Sequence, residues 1–234
     1  MQGTAAKRNR TQSNNLAKRS KSTKDSRRKT NVPRTVSQGK QAFAKQQTAT
    51  LTYAEQVAIA PASGAYTEYK FSANGLYDPN LTGTGHQPLY FDQLMLIYNH
   101  YCVTQSKITI VINPPVPAAA TITAVLFTDD DTSTNTTSIQ GAIERPGSVF
   151  SICQGATSMF TPSYLQKTWM AKNVFAGNPL SRDELHGNAG ANPTEETEFI
   201  IAMADAVGAT NTSIVTVKIE YTATFYELKS ISSS

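Results

Sequence analysis

The sequence predicts an all-β protein: an eight-stranded antiparallel sandwich of the jelly-roll or Greek-key type that follows a disordered basic N-terminal arm. Three observations support this. Apolar residues after position 45 alternate with polar ones at a period of two, which is typical of half-buried strands. Turn-forming residues separate the alternating segments. Only 16% of the 234 residues are charged, and the abundant Thr, Ser, Asn and Ala favour strands and turns over long charged helices.

Charge divides the chain into two predicted domains at residue 45. Residues 1–45 contain 13 Lys and Arg and a single acid, Asp25, whereas residues 46–234 contain 8 Lys and Arg and 16 Asp and Glu, so the net charges are +12 and −8. The first segment has too few apolar side chains to offset the entropy of ordering, and we expect it to be disordered when free. Residues 46–234 should form the folded domain.

Alternation is clearest in the last strand, where Val215, Val217 and Ile219 are separated by polar residues. The continuous apolar runs 122–127 and 199–203 predict strands that are buried on both faces. The predicted strands are 49–59, 65–73, 101–113, 119–129, 147–153, 158–171, 197–206 and 212–228. In the first of them, Glu55 interrupts the apolar face. Two helical turns are predicted at 91–98 and at 138–144, the second ending before Pro146.

The basic arm is the candidate nucleic-acid-binding site. A flexible polycation binds phosphates through charge density and counterion release, without a fixed geometry. The arm has almost no aromatic side chains, so base stacking cannot be its mechanism and its binding should be non-specific. A solubilising tail is the alternative. The predicted contacts are Lys7, Arg8, Arg10, Lys18, Arg19, Lys21, Lys24, Arg27, Arg28, Lys29, Arg34, Lys40 and Lys45.

Part of the same arm has the pattern of a nuclear localisation signal with two basic clusters. Lys18 and Arg19 form the first cluster, and Arg27, Arg28 and Lys29 follow eight residues later. Host nuclear import receptors are therefore predicted partners, compatible with nucleic-acid binding by the same residues.

Residue patterns of known catalytic and cofactor sites are absent from the sequence. The histidines, His86, His100 and His186, have no second ligand at metal-binding spacing, and no nucleophile or nucleotide motif occurs. We expect no enzyme activity, no cofactor and no metal site, and we expect His86 to be a hydrogen-bonded loop or interface residue. The run Asp129–Asp131 has the oxygen ligands that Ca²⁺ prefers, but we expect it to be a solvated acidic loop.

No apolar run approaches 18 residues, so no membrane-spanning helix is expected, and the polar N-terminus predicts no export signal. Without export, Cys102 and Cys153 should be reduced, half-buried thiols. For the same reason the three glycosylation sequons, which begin at Asn80, Asn135 and Asn211, should be unmodified. Trp169 is expected to pack in the core or at an interface.

A longer motif spans residues 71–112. It contains Asp78-Pro79-Asn80, Gly83-Thr84-Gly85-His86-Gln87-Pro88, Phe91-Asp92-Gln93 and Tyr98-Asn99-His100-Tyr101 before a strand. This stretch resembles the capsid protein of circular, Rep-encoding single-stranded DNA viruses, the circovirus-like group. The segments Ala191-Asn192-Pro193, Val215–Tyr221 and Phe225-Tyr226 are similar to the same family, so the resemblance covers most of 46–234. The arm matches in kind only, because family arms are typically Arg-dense.

The resemblance implies a jelly-roll subunit that assembles with itself into a small icosahedral shell, in the simplest case a T=1 capsid. It also implies an arm that faces inward on viral single-stranded DNA, and locations in the virion and, during assembly, in the host nucleus. From the residues alone, a cellular single-stranded nucleic-acid binding module and the capsid protein of a small RNA virus remain alternatives. A jelly-roll enzyme of the cupin type would need a His/Glu metal cluster whose spacing is absent.

Overall fold

Two antiparallel sheets pack face to face around an apolar core. The computed structural model describes residues 42–61, 66–113, 121–131, 136–154, 162–205 and 211–230. Within these ranges the strands are β1 Gln46–Ile59, β2 Tyr66–Ser72, β3 Tyr98–Ile112, β4 Thr121–Asp129, β5 Val149–Gln154, β6 Ser163–Met170, β7 His186–Gly187, β8 Glu198–Asp205 and β9 Ser213–Leu228. The helices are α1 Phe91–Met95, α2 Ile139–Glu144 and α3 Ala171–Val174, with 3₁₀ turns at Pro179–Ser181 and Asp183–Leu185.

The strand order identifies a jelly roll. Sheet A has the order β1-β9-β3-β6, with the two-residue β7 paired to β3, and sheet B has the order β2-β8-β4-β5. Without β7, the long strands follow the orders 1-8-3-6 and 2-7-4-5, and all pairs are antiparallel. This interleaving of early and late strands is the jelly-roll arrangement. The predicted fold class is therefore confirmed.

All of the eight predicted strands are present, with differences at their ends. The predicted helical turn 91–98 is too long: α1 ends at Met95, and Tyr98 already begins β3. Tyr98 is fully buried between the sheets and its backbone pairs with Leu228, so sheet pairing replaces the last helical turn. The sixth strand begins at Ser163, and residues 158–161 of its predicted span lie outside the described residues.

Inward-facing residues of both sheets form the main core. In β9 the buried residues alternate as predicted, and the hydroxyl of buried Tyr221 donates to the Ser72 carbonyl at 2.7 Å. Trp169 is 3% exposed and belongs to this core, which confirms its predicted packing role. Cys102 and Cys153 are free thiols, as predicted, but they are fully rather than half buried.

A second apolar cluster lies on the outer face of sheet B, where α2 covers it. Ser138 caps this helix by accepting a hydrogen bond from the Gly141 amide at 3.2 Å. The buried members of the cluster are Val125, Phe127, Ala142, Ile200 and Ala202. The helix explains why the runs 122–127 and 199–203 carry apolar residues at successive positions: one set faces the main core and the other faces α2.

The connections at the two ends of the sandwich differ sharply in charge. At one end β2, β4 and β6 lead into the connections 73–97, 130–148 and 171–197, whose sequences contain nine acidic and three basic residues; we call it the acidic end. At the other end the strands lead into segments 60–65, 113–120, 155–162 and 206–212, whose sequences contain no charged residue; we call it the uncharged end. Most of the negative charge of the body is therefore carried by the acidic end.

Among the residues that the structure describes, no helix has the length and apolar character needed to span a membrane.

Candidate functional site

The predicted nucleic-acid-binding residues can be placed only at the end of the basic arm. Lys45 is exposed and immediately precedes β1. The other twelve predicted contacts, including all five residues of the predicted nuclear localisation signal, lie outside the described residues. Their role in binding remains a prediction.

The described chain enters the fold at an edge of sheet A. The hydroxyl of Tyr98 donates to the carbonyl of Ala44 at 3.0 Å, and Gln46 pairs opposite Tyr226 of β9. Tyr98 is fully buried, so this contact anchors the start of β1 to the core. The residues that follow the basic arm are therefore fixed beside the end of the last strand.

From this entry point a hydroxyl-rich surface extends over the outer face of sheet A. Thr48 and Thr224 are hydrogen-bonded at 3.1 Å, and the Gln56 amide donates to Thr216 at 3.1 Å. The charges on this face nearly balance, because Lys218 pairs with Glu220 at 3.0 Å and Lys107 lies opposite Glu220 across the strands. Hydroxyl and amide groups can bind phosphate oxygens without adding charge, so this face can approach a polyanion more closely than the acidic end can.

An aromatic cluster lies on the same face next to the chain entry. The ring of His100 stacks on Tyr226 with centroids 5.7 Å apart, and His186 meets Tyr226 edge-on at 5.2 Å. The Nε2 atom of His100 lies 3.3 Å from a carboxylate oxygen of Glu227. Burial raises the pKa of the neighbouring Cys102 thiol to about 11, so it is protonated and a poor nucleophile at neutral pH. The sequence did not predict this cluster, since its members lie on three different strands.

The motif at residues 78–88 forms a hydrogen-bonded loop. Asn80 is buried, and its amide donates to Glu55 at 2.9 Å and to the Tyr69 hydroxyl at 3.0 Å. The Tyr53 hydroxyl also donates to Glu55. Glu55 therefore occupies the apolar face of β1 because the loop and the neighbouring tyrosine supply its hydrogen bonds, which accounts for the interruption seen in the sequence.

Asn192 joins this loop to the connection before β8. Its side-chain oxygen accepts from the amides of Tyr77 and Asp78, both at 3.1 Å, and its amide donates to the Asp78 carbonyl at 3.0 Å and to Glu196 at 2.8 Å. Burial raises the pKa of the Glu196 carboxyl. Burial, together with the nearby charge of Glu55, also raises the pKa of Asp78. Burial in the loops of the acidic end thus disfavours the ionised form of these two carboxyl groups.

His86 lines an open pocket of about 380 Å³ together with Asp78, Gly83, Gly85 and neighbouring loop residues. Its ring lies 4.7 Å from that of Tyr53, and its two nitrogens are 2.8 Å from the Gln87 carbonyl and 3.1 Å from the Ala54 carbonyl. Since both nitrogens face backbone carbonyls, His86 is the hydrogen-bonded loop residue that the sequence predicts, and its nitrogens are not directed at the pocket as a base.

In the acidic run Asp129–Asp131, local contacts engage the carboxylate of Asp129. Arg145 pairs with Asp129 at 2.9 Å, and the Asp131 amide donates to the Asp129 carboxylate at 3.2 Å. In the described ranges, no group of three or more His, Cys, Asp and Glu side chains is arranged to hold a metal ion.

No protein-family model and no curated protein sequence matches this chain. Solved structures with a similar fold include the 60-mer BFDV capsid protein, with 14% identity, 82% of this chain and 100% of that chain covered, and a TM-score of 0.42. The T=3 Penaeus vannamei nodavirus has 11% identity over 95% and 65% of the two chains and a TM-score of 0.47. Mud crab tombus-like virus has 12% identity over 93% and 96%, with a TM-score of 0.45. The strand order, rather than these similarities, identifies the jelly roll.

Proposed function

We propose that this protein is a viral capsid protein that assembles with copies of itself into a closed icosahedral shell and holds nucleic acid through residues 1–45. The observation that carries the proposal is a single jelly roll of net charge −8 whose first strand directly follows a segment of net charge +12. An acidic body repels a polyanion, so the basic segment is the part suited to bind it.

The packaged nucleic acid is single-stranded DNA in this proposal, and the basis for that choice is the sequence resemblance to circovirus-like capsid proteins at residues 71–112. The capsid of a small RNA virus is the alternative, because a flexible polycation neutralises either kind of phosphate backbone. For a shell of 60 subunits, the arms would supply on the order of 700 positive charges. Import into the host nucleus through Lys18, Arg19, Arg27, Arg28 and Lys29 belongs to the same proposal.

The rival function, a cellular module that binds single strands, requires exposed aromatic side chains in a basic groove. Two of the exposed aromatic residues, Tyr77 and Tyr90, lie in connection 73–97 of the acidic end. This connection contains two acids and no Lys or Arg. Its electrostatic potential therefore disfavours a strand of phosphates, which argues against this rival at that surface.

Assembly and packaging are tested on the full-length protein together with a variant in which the thirteen basic residues of 1–45 are replaced by Gln. Electron microscopy of the purified wild-type protein should show closed particles, and nuclease-protected nucleic acid should be extracted from them. The Gln variant should keep its strand-type circular dichroism, because the buried core of the described residues begins only at Leu51, but it should lose the protected nucleic acid.

Each part of the proposal can fail separately. A wild-type protein that stays monomeric at all salt concentrations and pH values, with and without nucleic acid, contradicts the capsid function. Protected nucleic acid that is digested by ribonuclease and resists deoxyribonuclease contradicts the DNA assignment and favours an RNA virus. A Gln variant that packages as much nucleic acid as the wild type contradicts the role of the arm.

A further inference from the structure

Strand β5 forms one edge of sheet B and exposes two large apolar side chains. Phe150 and Ile152 are each 55% exposed. They lie directly opposite Val125 and Thr123 of β4, so they point to the outer face of the sheet rather than to the main core. An edge strand with exposed apolar residues is a surface that natural proteins normally cover.

Helix α2 covers only the neighbouring part of this outer face. Its residues Ile139 and Ile143 pack on the cluster that contains Val125 and Phe127. Beyond the helix, toward the uncharged end, the face carries a group of apolar, small and hydroxyl side chains that we call the β5 patch. Its members are Phe150, Ile152, Thr121, Thr123 and Ala204.

The β5 patch contains no ionisable group. The charges on the same outer face lie toward the acidic end and are paired there: Lys70 with Glu198 and Arg145 with Asp129, each at 2.9 Å. The half-buried Glu68 lies in the same cross-strand row as Phe150, but on β2 at the opposite edge of the sheet, and it accepts a hydrogen bond from Thr136 at 3.1 Å. The segments that precede β4 and follow β5 in the sequence, 113–120 and 155–162, contain no charged residue.

This distribution of charge indicates which partner would bind at the β5 patch. Two copies of a body with a net charge of −8 repel each other over most approaches, and the penalty is smallest where neither copy presents an acid. A strongly charged partner would gain no electrostatic attraction at the patch, whereas a second copy of this chain would bury apolar surface there without placing like charges together. We propose that the β5 patch is a contact between copies of this chain.

The size of the patch fits the centre of such a contact rather than all of it. Half-exposed Phe and Ile side chains offer roughly 200 Å² of apolar surface, compared with about 800 Å² per partner in a stable interface. Apolar residues at the centre of an interface carry most of its binding free energy, and a polar rim completes the area. The inference rests on the proposed function, because a shell is what brings the copies together.

The test compares full-length wild-type protein with the double variant Phe150→Ser, Ile152→Ser and with the control Gln154→Ser. Gln154 is exposed on the same strand and the same face, opposite Thr121, but it is polar. Analytical ultracentrifugation as a function of concentration should show that the double variant needs at least a tenfold higher concentration to assemble. The control should assemble like the wild type, and all three should have the same circular dichroism.

A milder variant, Ile152→Cys, keeps the inference testable if the double variant does not fold. The cysteine should react with a maleimide in dissociated subunits and be protected in assembled particles, with wild type as the background because Cys102 and Cys153 are buried. Three outcomes overturn the inference: equal labelling of the cysteine in both states, assembly of a folded double variant at wild-type concentrations, or an equal loss of assembly in the Gln154→Ser control. In each case the capsid function still stands if the wild-type protein forms particles. A wild-type protein that never assembles overturns both.

Discussion

The acidic end and the uncharged end of the sandwich differ in what holds their connections. At the acidic end, side-chain hydrogen bonds join separate loops: the Asn74 amide donates to the Glu195 carbonyl at 2.8 Å, and the Thr197 amide donates to Asn74 at 3.0 Å. At the uncharged end, the described contacts stay within one connection or between adjacent strands: the Asn211 amide donates to the buried Asp205 carboxylate, and the Asn113 amide donates to the Ile214 carbonyl at 2.9 Å.

The difference shows how a jelly roll can hold many carboxyl groups at one end and keep another part of its surface uncharged. Carboxyl groups are concentrated where a network of Asn, Tyr and backbone groups supplies hydrogen bonds, so their burial is tolerated. The remaining surface is left free of charge near the β5 patch. Three predictions test this division, and they are ordered from the largest expected effect to the smallest.

The substitution Gly187→Ala should strongly destabilise the acidic end. A Cβ atom at this position would overlap the ring of Tyr101 and would lie 2.6 Å from its Cε1 atom. That ring cannot move aside, because it packs edge-on against Phe91 at 5.5 Å and its hydroxyl accepts from the Leu76 amide at 3.0 Å. Scanning calorimetry of dissociated subunits should show a loss of about 3 kcal/mol, a fall in Tm of roughly 10 °C.

The matched control is Gly190→Ala in the same connection. Its added Cβ would meet nothing closer than the Asn188 side-chain oxygen at 3.7 Å, which is an ordinary contact, so its Tm should stay within about 2 °C of the wild type. Equal effects of the two substitutions would contradict the close packing of Tyr101 at the acidic end.

The carboxyl group of Glu196 should make the stability of the acidic end depend on pH. Burial raises its pKa in the folded state above the ordinary value of 4.5, so the unfolded chain releases this proton more readily. The contribution of Glu196 to stability is therefore greatest below pH 4.5 and declines as the pH rises through the folded-state pKa. Glu196→Gln, whose side-chain oxygen can still accept from Asn192, should be more stable than the wild type at pH 7 and lose this advantage on acidification.

Urea unfolding at pH 5 and pH 7 measures this difference, with the exposed neighbour Glu195→Gln as the control. The control should track the wild type at both pH values. If Glu196→Gln is less stable than the wild type at pH 7, the fold favours the ionised carboxylate and the assignment of burial as the dominant cause is wrong.

A smaller effect is expected for Ser213→Ala at the uncharged end. Ser213 is fully buried and, within the described ranges, its hydroxyl has no hydrogen-bond partner. Its removal should therefore stabilise the fold by about 1 kcal/mol in urea unfolding. Ser106→Ala is the control of opposite sign, because the buried Ser106 hydroxyl donates to the Ala73 carbonyl at 2.5 Å. If both substitutions destabilise the fold by similar amounts, the Ser213 hydroxyl does have a hydrogen-bond partner and the prediction is wrong.

Much of the fold could be predicted from the sequence because the strands bury alternate residues. The alternation in β9 and the apolar runs 122–127 and 199–203 locate strands without any knowledge of their partners. The short turns Ala171–Val174, Pro179–Ser181 and Asp183–Leu185 were missed, since segments of three or four residues are too short to show a helical period.

The sites were less predictable, for two different reasons. The contacts of Glu55 and Asn192 join residues far apart in sequence, so only the topology of the sheets reveals them. The charge of the arm is visible in the sequence, but its role in binding is a property of a complex and remains a prediction. The β5 patch was also missed, because Phe150 and Ile152 have the alternation of a core-facing strand and only the register of β4 and β5 places them outside.

The central position of the last two strands has a consequence for synthesis of the protein. β9 lies between β1 and β3, and β8 lies between β2 and β4, so residues 198–228 complete the middle of both sheets. A ribosome releases the chain from its N-terminus, and β1 must wait for a partner that begins more than 150 residues later. Neither sheet can be completed on a nascent chain, and a chain that stops before residue 198 lacks a central strand of each sheet. Newly made protein can therefore complete its fold only after nearly all of it has been translated.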